Sequence, residues 1–171
     1  MQKIIDTTSD IFGMEPNMAF REKSAWIAVI STLVIWSYYF WTVAQAVATG
    51  QLDGDAVFWL FVWCMVATIA VMLPLNIVAA LVARQKMDAP PDERERQIDA
   101  YANRLGLGFI EIMAVVVAGL SAWFSGYARQ SFPDDPAGAT AIIMANAILL
   151  VMVSSAVLRE VVQIVHFRLM D

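Results

Sequence analysis

The stretch AWIAVISTLVIWSYYFWTVAQAVA, residues 25–48, carries no charged side chain. A helix of ~20 mostly apolar residues, rising about 1.5 Å per residue, matches the hydrocarbon thickness of a bilayer. Lipid offers the backbone no hydrogen-bond partner, so a segment of this kind has to satisfy its own N–H and C=O groups as a helix. Three further blocks have the same character: 56–83, with Pro74 inside it, 105–128 and 137–158. The four blocks predict an all-α integral membrane four-helix bundle made of two helical hairpins, one transmembrane domain over residues 1–171. The short alternating segments of a membrane β-barrel do not occur.

Composition agrees. Of the 171 residues, 60% are hydrophobic and 16% charged, and the mean hydropathy is +0.63. A soluble domain carries roughly 25% charged residues. The net charge of −5 is spread over loops and ends, and no basic domain supports nucleic-acid binding. Cys64 stands alone inside an apolar block, which rules out an internal disulfide or a cysteine-cluster metal site. The first residues lack a basic stretch followed by an apolar core, so they do not read as a cleavable signal peptide.

Lysine and arginine set an orientation. Lys3, Arg21 and Lys23 precede the first block, Arg84, Lys86, Arg94, Arg96 and Arg104 surround the middle loop, and Arg159 and Arg168 follow the last block. The other two loops hold only Arg129, a split of ten to one that predicts both termini and the loop 84–104 on the cytoplasmic side. Trp26, Trp59, Trp123 and Tyr127 fall near block ends, where interfacial belts form. Trp36, Tyr38, Tyr39 and Trp41 sit deeper, as packing groups or as the lining of a lipid or ligand pocket.

Caps mark the helix ends. Gly50 suits a C-cap, Asp55 an N-cap, and Pro136 a first helical position after Asp135. Pro74 removes a backbone donor and predicts a kink. In DAPPDERERQIDA, residues 88–100, Pro90 and Pro91 end the second helix. Asp92 with Glu95 forms a capping-box pattern, so the third helix should start near Glu93. Ile98, Tyr101 and Leu105 give this extension one apolar stripe. Its polar residues, Asp92, Glu93, Arg94, Glu95 and Arg96, are either solvated or a docking surface for a cytosolic partner. The ends 3–20 and 159–170 have amphipathic spacing and could lie along the membrane or on a protein.

Residues 22–27, EKSAWI, and 93–98, ERERQI, share the pattern acid, base, three residues, isoleucine, as two parallel hairpin repeats would. The E-K-S-A-W-I start together with D-E-R-x-x-x-I at 92–98 resembles a group of uncharacterised small four-span bacterial membrane proteins. The resemblance implies a bacterial inner-membrane protein. It supplies no catalytic residue and no cofactor.

Glu111, in LGFIEIMAV, is the ionisable residue deepest in an apolar block. A carboxylate at the centre of a spanning helix costs ~2.5 kcal/mol or more, so it should face a partner or a wet cavity. Counted from the cytoplasmic block ends, Ser31 and Asn76 fall at similar depth, with Ser154 and Ser155 a little closer to the cytoplasm, which predicts an inner-leaflet polar layer of Glu111 with Ser31, Asn76 and Ser154 or Ser155. Arg84, Arg104 and Arg159 at the rim are candidate counter-ions. The layer is either a packing device or a proton, ion or solute site. Asn146 and Gln45 read as interhelical hydrogen-bonding groups. His166 has no second histidine for a haem site and reads as packing. Ala118, Ala122 and Gly126, with Gly119 beside them, give a small-residue surface for packing within the bundle or for a homodimer seam.

No phosphate loop, metal-ligand spacing or nucleophile elbow occurs, so no enzyme and no cofactor are expected. The leading expectation is an accessory subunit or membrane-side regulator acting through its cytoplasmic face. It would contact membrane lipids and either a protein partner or further copies of itself. The runner-up is a small oligomeric channel or transporter using Glu111.

Overall fold

The computed structural model describes residues 20–83 and 93–169. Four helices follow one another: α1 (Phe20–Ala48), α2 (Gly54–Ala83), α3 (Glu93–Ser131) and α4 (Pro136–Leu169). Each is long and apolar enough to cross a membrane.

The two short links show why the helices stop where they do. At the end of α1, Gly50 takes φ +71°, a conformation glycine adopts without a Cβ penalty. Gln51 N–H then donates to Ala46 O at 3.0 Å and Gly50 N–H to Val47 O at 3.3 Å, the paired bonds of a Schellman motif. The next helix is capped by Asp53 and not by Asp55. The Asp53 carbonyl accepts from Val57 N–H, and its side-chain Oδ1 accepts from Asp55 N–H at 3.0 Å. Helix α2 therefore begins before Asp55, which sits in its first turn. Asp135 caps α4 in the same way: Oδ1 accepts from Gly138 N–H at 2.9 Å, with Pro136 as first helical residue.

The two links lie side by side. The Tyr127 hydroxyl donates to Val47 O at 3.4 Å, and Leu52 packs on the cluster of Ala128, Phe132 and Ala139. At the opposite end, Ala25 and Val29 of α1 pack on Ile164 of α4. Helices α1 and α2 pack together, as do α3 and α4, and α1 joins the pairs by packing on α4. The order across the protein is α2–α1–α4–α3. Among the described residues no comparable contact joins α2 to α3. Helix α1 is central, with 33% of its apolar window buried against 6% for α2. Its core is aromatic: Trp36, Tyr39 and Val43 close over Cys64, with Phe40 and Phe61 packed on them.

Helix α3 has 39 residues and α4 has 34, about 58 and 51 Å, against ~30 Å of hydrocarbon. Since α3 begins and α4 ends at the same end, their surplus length lies there together. The buried stripe of the α3 extension is Ile98, Ala102 and Gly106. Tyr101 and Leu105, expected on that stripe, are 47% and 39% exposed, because the seam with α4 selects the small side chains. Pro74 stays inside α2, where Asn76 Nδ2 donates to Met72 O at 2.8 Å.

Candidate functional site

Among the described residues, three places gather side chains that bear on function. The first is the seam where the extensions of α3 and α4 meet. Gly106 brings the helices close: a Cβ there would lie 2.5 Å from Arg159 Cγ and 3.2 Å from Ser155 Oγ. In that space the Ser155 hydroxyl donates to Gly106 O at 2.9 Å. One turn further along α4, Arg159 Nη1 donates to Asn103 Oδ1 at 3.3 Å. Glu160 is half-buried within electrostatic reach of Arg159 and Asp99. Beyond them His166 lies against Tyr101, ring centroids 4.9 Å apart, with its Nδ1 3.0 Å from Val162 O. Arg168 stands 5.8 Å over the Trp26 ring, whose Nε1 is buried without a hydrogen-bond partner.

This seam can position two helices and present charge. It holds no nucleophile–base pair, since the serine is spent on a backbone carbonyl and one histidine nitrogen lies on its own helix. Among the described residues no three His, Cys, Asp or Glu side chains gather as metal ligands.

The second place is the aromatic core. The Tyr39 hydroxyl donates to Asn146 Oδ1 at 2.7 Å, and Asn146 Nδ2 donates to Ile142 O at 2.9 Å. Asn146 thus joins α1 to α4 and leaves neither end of its amide idle. Gln45 is exposed.

The third place is the outward side of α3. Glu111 is exposed there, away from the seam that buries Gly106 and Val117. On the same side, Ala118, Gly119 and Ala122 are exposed, and Gly126 is half-buried. Cβ atoms added at Gly108, Gly119 or Gly126 would meet nothing within 4 Å.

The expected polar layer does not gather in any of these places. Ser31 and Ser155 are buried, 7% and 2% exposed, whereas Ser154 lines a shallow groove with Thr32, Trp36 and Ser37. Asn76 bonds within α2, and Glu111 is on α3, two helices without comparable contact. Ser31, Asn76, Glu111 and Ser155 therefore do not converge. Of the candidate counter-ions, Arg104 is exposed, Arg159 holds Asn103, and Arg84 lies outside the described residues. In the expected docking surface, Glu93 and Arg96 are exposed, and Gln97 Nε2 donates to Glu93 Oε1 at 3.4 Å. Asp92 and the side chains of Arg94 and Glu95 lie outside the described residues, as does the N-terminal stretch 3–19.

Sequence reasoning missed Asn103 and Gly106. The available signal was the four-residue spacing of Ile98, Ala102 and Gly106, whose last two side chains are small, at the period of two closely packed helices. Compared with known proteins, the chain matches no family model, no curated protein and no solved structure.

Proposed function

We propose that this protein is a non-enzymatic, multi-pass membrane subunit that docks a protein partner on the end formed by the extensions of α3 and α4. The observation that carries this reading is their shared projection. Both helices exceed the hydrocarbon thickness, and both put the excess at one end. There they expose Glu93, Arg96, Gln97 and Arg104 on a framework fixed by the Ser155–Gly106 and Arg159–Asn103 contacts. Rigid, mixed-charge surfaces of this kind suit recognition, where charge complementarity selects the partner. The lysine and arginine distribution supports placing this end, and both termini, on the cytoplasmic side of the membrane, which the resemblance to four-span bacterial proteins would make an inner membrane.

Purification of the intact protein from native membranes in mild detergent tests the reading. A stoichiometric partner is expected, and it should be lost from the Arg96→Glu variant while helix content is unchanged. Recovery of the protein without any partner would overturn it.

A further inference from the structure

Helices α1 and α4 leave a groove between them at the end of the protein where α1 begins and α4 finishes. Val29 and Ile164, both buried, form its floor, and Trp26, Val161, Val165 and Arg168 stand around it. Arg168 belongs to the last turn of α4. Val161 lies seven residues before it, about 10 Å along the helix toward the middle of the protein. The groove therefore has a charged mouth and a hydrocarbon interior.

Its size limits the occupant. The groove has a volume of about 340 Å³. One turn of a helix with its side chains, about 10 Å across and 5.4 Å long, fills about 420 Å³. The groove is too small to seat a helix of a second protein, and it suits a single acyl chain.

The charge at the mouth selects the headgroup. Among the described residues, Arg168 is the charged side chain that lines the groove. The other titrating groups at this end of α4 are turned toward α3: Glu160 lies within electrostatic reach of Asp99, and His166 lies against Tyr101. The Arg168 guanidinium stands 5.8 Å over the Trp26 ring, a cation–π contact that keeps it at the mouth. A guanidinium has five N–H donors, enough to keep its contacts within the protein and still bond a phosphate oxygen. The wall holds a second donor, the indole of Trp26. Its Nε1 is the buried side-chain polar atom without a hydrogen-bond partner among the described residues, and a buried donor left unpaired destabilises the fold.

We propose that this groove binds one anionic phospholipid, with an acyl chain along Val29, Val161, Ile164 and Val165 and the phosphate on Arg168. A modest turn of the indole about its Cβ–Cγ bond, a soft torsion, lets Trp26 Nε1 donate to a phosphate or ester oxygen. Four helices able to cross a membrane put lipid beside α1 and α4, and basic pockets between spanning helices are where anionic headgroups are recognised. A zwitterionic headgroup offers the same phosphate but brings its own cation, which Arg168 repels. The inference goes beyond the docking reading and does not depend on it.

The full-length chain in phosphatidylcholine vesicles provides the test. A small fraction of the lipid is replaced by phosphatidylglycerol or phosphatidylcholine brominated near the ester end of the chain, which quenches tryptophan on contact. The protein has six tryptophans, so the difference between each chain and its Trp26→Phe counterpart isolates the signal of Trp26. That signal should reach half-quenching at a roughly 5-fold lower fraction of brominated phosphatidylglycerol than of brominated phosphatidylcholine, the worth of one arginine beside an anionic headgroup. Arg168→Gln should remove the preference with helix content unchanged. Arg104→Gln, an exposed arginine of α3 outside the groove, should keep it. Equal quenching by the two lipids, a preference that survives Arg168→Gln, or one lost equally in Arg104→Gln would each overturn the proposal. Failure of either lipid to quench Trp26 would mean that protein covers the groove, and would overturn it too.

Discussion

The Ser155 hydroxyl donates a hydrogen bond to the Gly106 carbonyl at 2.9 Å, across the closest part of the α3–α4 seam. Contact at that distance depends on the missing Cβ of residue 106, because the Arg159 stem fills the space where it would be. Gly106→Ala is expected to cost about 1–3 kcal/mol, the usual range for overpacking a tight contact. Gly119→Ala is the control. Open space surrounds that position, and alanine is the better helix former by about 1 kcal/mol. Equilibrium unfolding in mixed micelles should show the first variant destabilised and the second unchanged or stabilised.

The Tyr39–Asn146 bond links the central helix to α4 within the apolar part of the protein. Interhelical hydrogen bonds in membranes average about 0.6 kcal/mol and reach about 1.7. Tyr39→Phe should lose about 1 kcal/mol, since it also leaves Asn146 Oδ1 without its donor. A double-mutant cycle with Asn146→Ala should return a coupling of about 0.5–1.5 kcal/mol. Strictly additive single losses would show that the two side chains do not act together.

The four helices were readable from the chain because hydrocarbon imposes one requirement on every residue of a span: the backbone must bond to itself. Block length and the scarcity of charge were therefore sufficient. The polar contacts were harder. Counting depth along each block placed Ser31, Asn76 and Glu111 at one level, with Ser154 and Ser155 close to it, but depth does not say which way a side chain points. Direction depends on which helices touch, and lipid tails are as apolar as leucine, so hydropathy does not distinguish an α2 face turned to lipid from an α1 face turned to Cys64. The same ambiguity made Tyr101 and Leu105 look like the buried stripe when Ala102 and Gly106 were the ones buried.

Helix starts give a sharper comparison, because two aspartates near α2 differ only in geometry. Asp53 accepts a side-chain bond from the backbone of Asp55, whereas Asp55 lies within the first turn and contributes only its charge near the helix N-terminus. Asp53→Ala and Asp135→Ala should each cost about 1 kcal/mol, the typical value of an N-cap. Asp55→Ala should cost a few tenths, about the exposed end of the helix-dipole range. The same unfolding assay separates them. An Asp55→Ala loss as large as that of Asp53→Ala would place the cap where sequence spacing alone put it.

Trp36 and Trp63 test where protein ends and lipid begins. Trp36 is 6% exposed, with Tyr39, Phe40 and Phe61 rings 5.5–6.1 Å away; Trp63 is 67% exposed on α2. In water the loss of hydrophobic burial would fall mainly on the Trp36 truncation. In a bilayer the surroundings are apolar in either case, so the difference reduces to packing. Trp36→Ala leaves a cavity that neighbouring rings fill only in part, at about 24 cal/mol per Å³ of residual volume, and a loss of about 3 kcal/mol is expected. It also removes the edge contact that orients Tyr39 toward Asn146, so its effect should not add to that of Tyr39→Phe. Trp63→Ala exchanges an indole for mobile acyl chains and should stay within about 0.5 kcal/mol. A cost for Trp63→Ala comparable to that of Trp36→Ala would mean that the outward face of α2 is covered by protein in the membrane.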